Sequence, residues 1–139
     1  MSLSIRNRLP GTVTAVTGGT AMATVGVRLD GGQVVTAAIT RESVEELGLA
    51  VGTPVRALVK STEVSLATAA VEGVSIRNQL PGTVADVTAG AAMASVKVTV
   101  AGGELTAAIT ADAVSDLALA AGTPVVALIK STEIALATV

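Results

Sequence analysis

The residue types best suited to chemistry in this 139-residue chain are hydrogen-bond donors, and they come in two matched sets. Ser4-Ile5-Arg6-Asn7 is repeated as Ser75-Ile76-Arg77-Asn78, and Lys60-Ser61-Thr62-Glu63 returns as Lys130-Ser131-Thr132-Glu133. Arg6, Arg77, Lys60 and Lys130 are four of only nine basic residues. Their placement is duplicated, whereas Arg28, Arg41 and Arg56 have no basic counterpart. A third group lies at a predicted helix start, where Thr40 is followed by Ser43; in the second copy Thr110 is followed by Ala113. The free N–H groups of a first helical turn and the positive end of its dipole attract anions. Taken singly, a Lys-Ser-Thr run fits a solvated strand end, and Thr40 fits a routine N-cap. Taken together, guanidinium, ammonium, hydroxyls and backbone N–H groups form the donor set that a tetrahedral dianion requires.

What the chain lacks narrows the function further. It has no His and no Cys, which removes the usual general base near neutral pH, the commonest transition-metal ligand and any thiolate site or disulfide. Catalysis would fall to Lys, Ser and carboxylates. The neighbours Lys60 and Ser61 would point to opposite faces of a strand, so no enzyme is expected. A net charge of −2 speaks against a nucleic-acid partner. The absence of Phe, Trp and Tyr removes the stacking platforms of an OB-type strand binder, the main competing reading beside other small-ligand binding, and those a pterin would need. The first residues lack the apolar core of a signal peptide. The most apolar stretch, Leu117 to Ile129, is too short to span a bilayer and contains Gly122, Thr123 and Pro124. A cytoplasmic protein without membrane association is expected.

The elements that must position these donors repeat with them. Leu9-Pro10-Gly11-Thr12-Val13 matches Leu80-Pro81-Gly82-Thr83-Val84, Ala21-Met22-Ala23 matches Ala92-Met93-Ala94, and Gly52-Thr53-Pro54-Val55 matches Gly122-Thr123-Pro124-Val125. The organisation expected is a first module over 1–68, a linker over 69–74 and a second module over 75–139. Within each, apolar residues alternate as in half-buried strands, for example Ala23-Val25-Val27-Leu29 and Val55-Ala57-Val59. Gly18-Gly19 and Gly31-Gly32 punctuate hairpins, and one short helix runs from the Thr40 cap to Gly48. The fold class expected is all-β with one short helix per module: two OB-like β-barrels in tandem. Their cores must be built from small aliphatic side chains, so each would be marginal alone and self-association is expected.

The opening Ser-x-Arg-Asn-x-Leu-Pro-Gly, the Ala-Met-Ala stretch and the closing Ala-Leu-(Val/Ile)-Lys-Ser-Thr-Glu, each in the same order in both copies, resemble the Mop or TOBE module. The whole chain is similar to the two-module molbindins. That resemblance implies a homo-oligomer, a trimer, that binds molybdate or tungstate for storage or homeostasis. It implies no cofactor, and no metal other than that inside the oxyanion. It also implies the oxyanion donors: Arg6, Thr40, Ser43, Lys60 and Ser61, with Ser4 and Asn7 nearby; then Arg77, Thr110, Lys130 and Ser131, with Ser75 and Asn78 nearby. Ala113 in place of Ser43 removes one hydroxyl from the second set.

Overall fold

A computed structural model describes residues 3–139. The first repeat forms β1 (Asn7–Gly18), β2 (Met22–Leu29), β3 (Val34–Thr40), α1 (Arg41–Leu47), β4 (Pro54–Val59), a 3-10 turn over Ser61–Glu63, and β5 (Ser65–Ala67). The second repeats this order with β6 (Asn78–Ala89), β7 (Met93–Val100), β8 (Gly103–Thr110), α2 (Ala111–Asp116), β9 (Pro124–Ile129), a 3-10 turn over Ser131–Glu133, and β10 (Ala135–Thr138). Neither helix is long enough to cross a membrane.

The strands assemble into two five-stranded sheets, in the orders β10-β4-β1-β2-β3 and β5-β9-β6-β7-β8. Each sheet therefore takes its edge strand from the other repeat. Ala135 to Thr138 run antiparallel to Leu58 to Val55, and Ser65 to Ala67 run antiparallel to Leu128 to Val126. The units of sequence repetition are thus not the units of hydrogen bonding. Alternation along β2 buries Ala23, Val25, Val27 and Leu29, as its period of two requires. β4 and β9 break that pattern: Leu58, Val126 and Leu128 are buried along with their neighbours, because these strands lie between two others at the crossing of the repeats. The apolar cluster runs through both sheets, from Val25, Val27 and Val59 to Val96, Val98 and Ile129.

Two further features join the halves. Asn7 and Asn78 are buried, at 2% and 3% exposure, although both are polar. The Asn7 amide donates to the Thr106 carbonyl at 2.9 Å and accepts from the Thr106 N–H at 2.7 Å. Asn78 makes the same pair of bonds with Thr36, at 2.9 and 2.8 Å. Each side chain thus imitates a peptide group and continues the other sheet by one ladder position. The β2–β3 and β7–β8 turns also meet backbone to backbone. A Cβ on Gly31 would lie 2.1 Å from the Ala101 carbonyl oxygen, so only glycine fits there.

The helices follow their cap signals. Thr40 Oγ1 accepts from Ser43 N and Thr110 Oγ1 from Ala113 N, both at 3.1 Å. Gly48 ends α1 with φ of 62°, in the left-handed region. Ala118 takes the same conformation after α2, with φ of 51°, at a cost of about 1 kcal/mol relative to glycine. Residues 68–77 form neither helix nor strand. Gln79 holds part of this segment by two bonds to the Val71 backbone, at 3.0 and 2.8 Å.

Candidate functional site

The duplicated donors gather where the repeats meet. β9 ends at Ile129, and Lys130 continues extended into the 3-10 turn, its carbonyl accepting from Glu133 N at 2.9 Å. That turn packs against β3 of the other repeat. Arg77 lies just before β6, and its guanidinium donates to the Val74 carbonyl at 3.1 Å. The Asn78–Thr36 bonds then set β3 beside this segment. The result is a cavity of about 490 Å³ lined from the second repeat by Ser75, Arg77, Lys130, Ser131 and Thr132. Thr24 and Thr36 of the first repeat complete it. Every side chain of this lining carries a hydrogen-bond donor, two are cationic, and none is a carboxylate.

One atom in this lining has no internal explanation. The Ser131 hydroxyl oxygen is shielded from solvent and has no hydrogen-bond partner among the described residues; the same holds for Ser61. A buried hydroxyl without a partner costs on the order of 1–3 kcal/mol. Both orphans directly follow the lysines of the duplicated motif, at equivalent places.

The first-repeat donors sit in the corresponding arrangement. The 3-10 turn that follows Lys60 packs on β8, and Asn7 pairs with Thr106 there. The Arg6 guanidinium is folded back onto the chain end, donating to the Ser4 carbonyl at 3.2 Å and to that of Leu3 at 2.6 Å. Lys60 and Lys130 also border two smaller recesses, of about 140 and 150 Å³, in which both Glu63 and Glu133 take part. Those recesses mix donors with carboxylates, so the larger cavity is the one suited to a dianion.

The helix-start donors do not join this group within one chain. Thr40 and Ser43 hydrogen-bond each other through their hydroxyls at 2.8 Å. Thr40 lies four residues along β3 from Thr36, about 13 Å at the rise of an extended strand. Thr110 is separated from Thr106 in the same way. Asn7 and Asn78 are next to the donors, but both ends of each amide are engaged by backbone. Thr132 lines the cavity as part of the duplicated Lys-Ser-Thr-Glu motif, whereas Thr24 and Thr36 line it without having been singled out as donors in the sequence. Thr36 and Thr106 recur inside the repeated Thr-Ala-Ala-Ile-Thr, a signal hidden by its resemblance to ordinary strand sequence.

Exchanged edge strands and a cationic, carboxylate-free recess at the junction define the class: a duplicated small-barrel protein whose two copies build one another's site walls. The TOBE domain model matches residues 3–66 and 74–136. The chain belongs to the TOBE-domain family, in its two-module molbindin form. It is 38% identical over 138 residues to the molybdenum transport protein ModE of Azotobacter vinelandii, covering 99% of this chain and 51% of that protein. It is 40% identical over 139 residues to the molybdenum-pterin-binding protein MopA of Rhodobacter capsulatus, covering 99% and 52%. The chain thus spans about half the length of these two relatives. Among solved structures, the cytoplasmic molybdate-binding protein ModG, with molybdate bound, superposes over 100% of both chains with a TM-score of 0.97 at 38% identity. The all-β two-module fold expected from the sequence is the fold observed.

Proposed function

We propose that this chain is a non-catalytic cytoplasmic binder of molybdate and tungstate that serves storage or homeostasis and works as a homo-oligomer, a trimer. The observation that carries the reading is the cationic, carboxylate-free lining around Arg77, Lys130 and the orphaned Ser131 hydroxyl. Molybdate and tungstate carry no proton at neutral pH and can accept from every group there. Hydrogen phosphate brings a proton that meets no carboxylate there, and a Ser or Thr hydroxyl that took it would no longer be aimed at the anion as a donor. The likeness to ModG over its whole length supports the choice of oxyanion and of compartment.

In this reading Ser75, Arg77, Lys130 and Ser131, with Thr24 and Thr36, form one site. Ser4, Arg6, Lys60 and Ser61, with Thr106 and with Ser95, which holds on β7 the place of Thr24 on β2, form its counterpart. Arg6 would leave its present carbonyl partners to reach the anion. Asn7 and Asn78 hold the opposing walls in register. Thr40, Ser43 and Thr110 serve sites completed by another copy of the chain. Exposed Met22, Met93, Val34 and Val51 supply apolar surface for such an assembly. The chain divides into modules over 1–68 and 75–139, joined by 69–74.

Calorimetric titration of molybdate into the Arg77→Ala and Lys130→Ala proteins tests the assignment. Charge-assisted bonds contribute about 1.5–3 kcal/mol each, so each variant should weaken one class of sites at least tenfold. Unchanged affinity in both variants, with assembly intact, would remove these side chains from the site.

A further inference from the structure

The two junctions between the repeats are not chemically equal, and one difference lies at Lys97. On β7, Lys97 stands opposite Thr106 of β8. The corresponding position on β2, opposite Thr36 of β3, is Gly26. Thr36 is a wall residue of the donor-lined cavity. Thr106 holds the matching place at the other junction, because Asn7 pairs with its backbone as Asn78 pairs with that of Thr36. The Lys97 ammonium donates to Thr106 Oγ1 at 3.4 Å. Gly26 has no side chain with which to do the same for Thr36.

A threonine hydroxyl has one proton to give and can accept through its lone pairs. An ammonium donates only, so when Thr106 Oγ1 accepts from Lys97 its own proton is turned away from Nζ. That proton remains free for another acceptor, and the charged donor strengthens the bond it makes. Thr36 enters the opposite site without such a constraint on its rotation. Net charge does not favour the wall that carries Lys97, where two carboxylates accompany one ammonium; the matching places on the other wall are Gly26, Ala15 and Val34. Glu104 Oε1 lies 3.9 Å from Lys97 Nζ, and Asp86 stands opposite Lys97 on β6, so carboxylates from both flanking strands offset the ammonium. What Lys97 supplies is orientation.

Resting on the oxyanion reading above, we propose that Lys97 is a positioning residue that makes the Arg6–Lys60–Ser61–Thr106 junction the tighter of two unequal oxyanion sites in each chain, by orienting the Thr106 hydroxyl as a donor. Lys97 is 47% exposed, so its replacement leaves the core untouched.

The test is calorimetric titration of molybdate into the assembled full-length protein and its variants, with assembly checked by light scattering. Wild type should show two classes of sites. Lys97→Met should weaken only the tighter class, by about fivefold, the size of one neutral hydrogen bond. Lys97→Arg should restore it. Thr106→Val should weaken the same class, and adding Lys97→Met to it should cause little further loss, because the lysine acts through that hydroxyl. Two classes left at wild-type affinity in Lys97→Met, or both weakened alike, would overturn the proposal while leaving the oxyanion reading in place. A wild-type protein that binds no molybdate would instead strike the reading itself, and this inference with it. Should Lys97→Met fail to assemble, Lys97→Ala takes its place, and the same selective loss or its absence decides.

Discussion

Replacing Asn78 by leucine should destabilise the protein by about 2–4 kcal/mol, and Asn7→Leu by a similar amount. Each amide satisfies one backbone N–H and one carbonyl of the opposing sheet, Thr36 in one case and Thr106 in the other. Leucine keeps the branched shape and is the larger side chain, so no cavity opens, and the unpaired backbone groups dominate with some overpacking added. A buried group left without its partner costs about 1–3 kcal/mol, and two are stranded by each change. The loss should appear in urea unfolding as a lower midpoint with a nearly constant slope. Because the same bonds fix the site walls, molybdate affinity should fall in parallel. A change below 0.5 kcal/mol would mean that water replaces the amide, on the scale of an ordinary surface substitution.

The second large effect concerns the exchanged strands. A fragment ending at Gly73 retains β1 to β4 but loses β10, whose Ala135–Thr138 run covers the β4 edge. It keeps β5, whose own partner β9 is gone. Such a fragment exposes an unpaired edge and carries an unpaired strand of nearly the same sequence as the missing one, Ser65-Leu66-Ala67 against Ala135-Leu136-Ala137. It should not persist as a folded monomer. Two copies should instead exchange β5 reciprocally and rebuild the pairing seen within the full chain. Sedimentation of the fragment should show dimers or multiples of them. A folded monomer would show that the edge strand contributes little.

The sequence made the duplication, the small-residue core, the helix caps at Thr40 and Thr110 and the stop at Gly48 legible, because each rests on local chemistry. The exchange was not legible, for a physical reason. β5 and β10 are so alike that pairing within a repeat or between repeats satisfies the same local pattern, and the path of residues 68–77 decides between them. β1 was also obscured, since Pro10-Gly11 reads as a turn. Pro10 is tolerated because β1 has there run past the end of β2, whose pairing begins at Gly11. Of the site, the Arg, Lys and Ser donors were visible in their repetition. Thr24 and Thr36 were not, because the cavity they line is closed by the other repeat. The helix-start hydroxyls were grouped with the cations on donor chemistry and by family resemblance; within one chain Thr40 stands about 13 Å along the strand from Thr36.

Recesses lined by cations and hydroxyls without a carboxylate, shared between repeats and completed by assembly, are the central claim. Native mass spectrometry of the full-length protein, with molybdate, tungstate, sulfate or phosphate added in turn, measures assembly and bound-anion number together. The expected result is a trimer that takes up more than one molybdate or tungstate per chain and leaves phosphate unbound at the same concentration. A stable monomer, or phosphate retained as fully as molybdate, would contradict it.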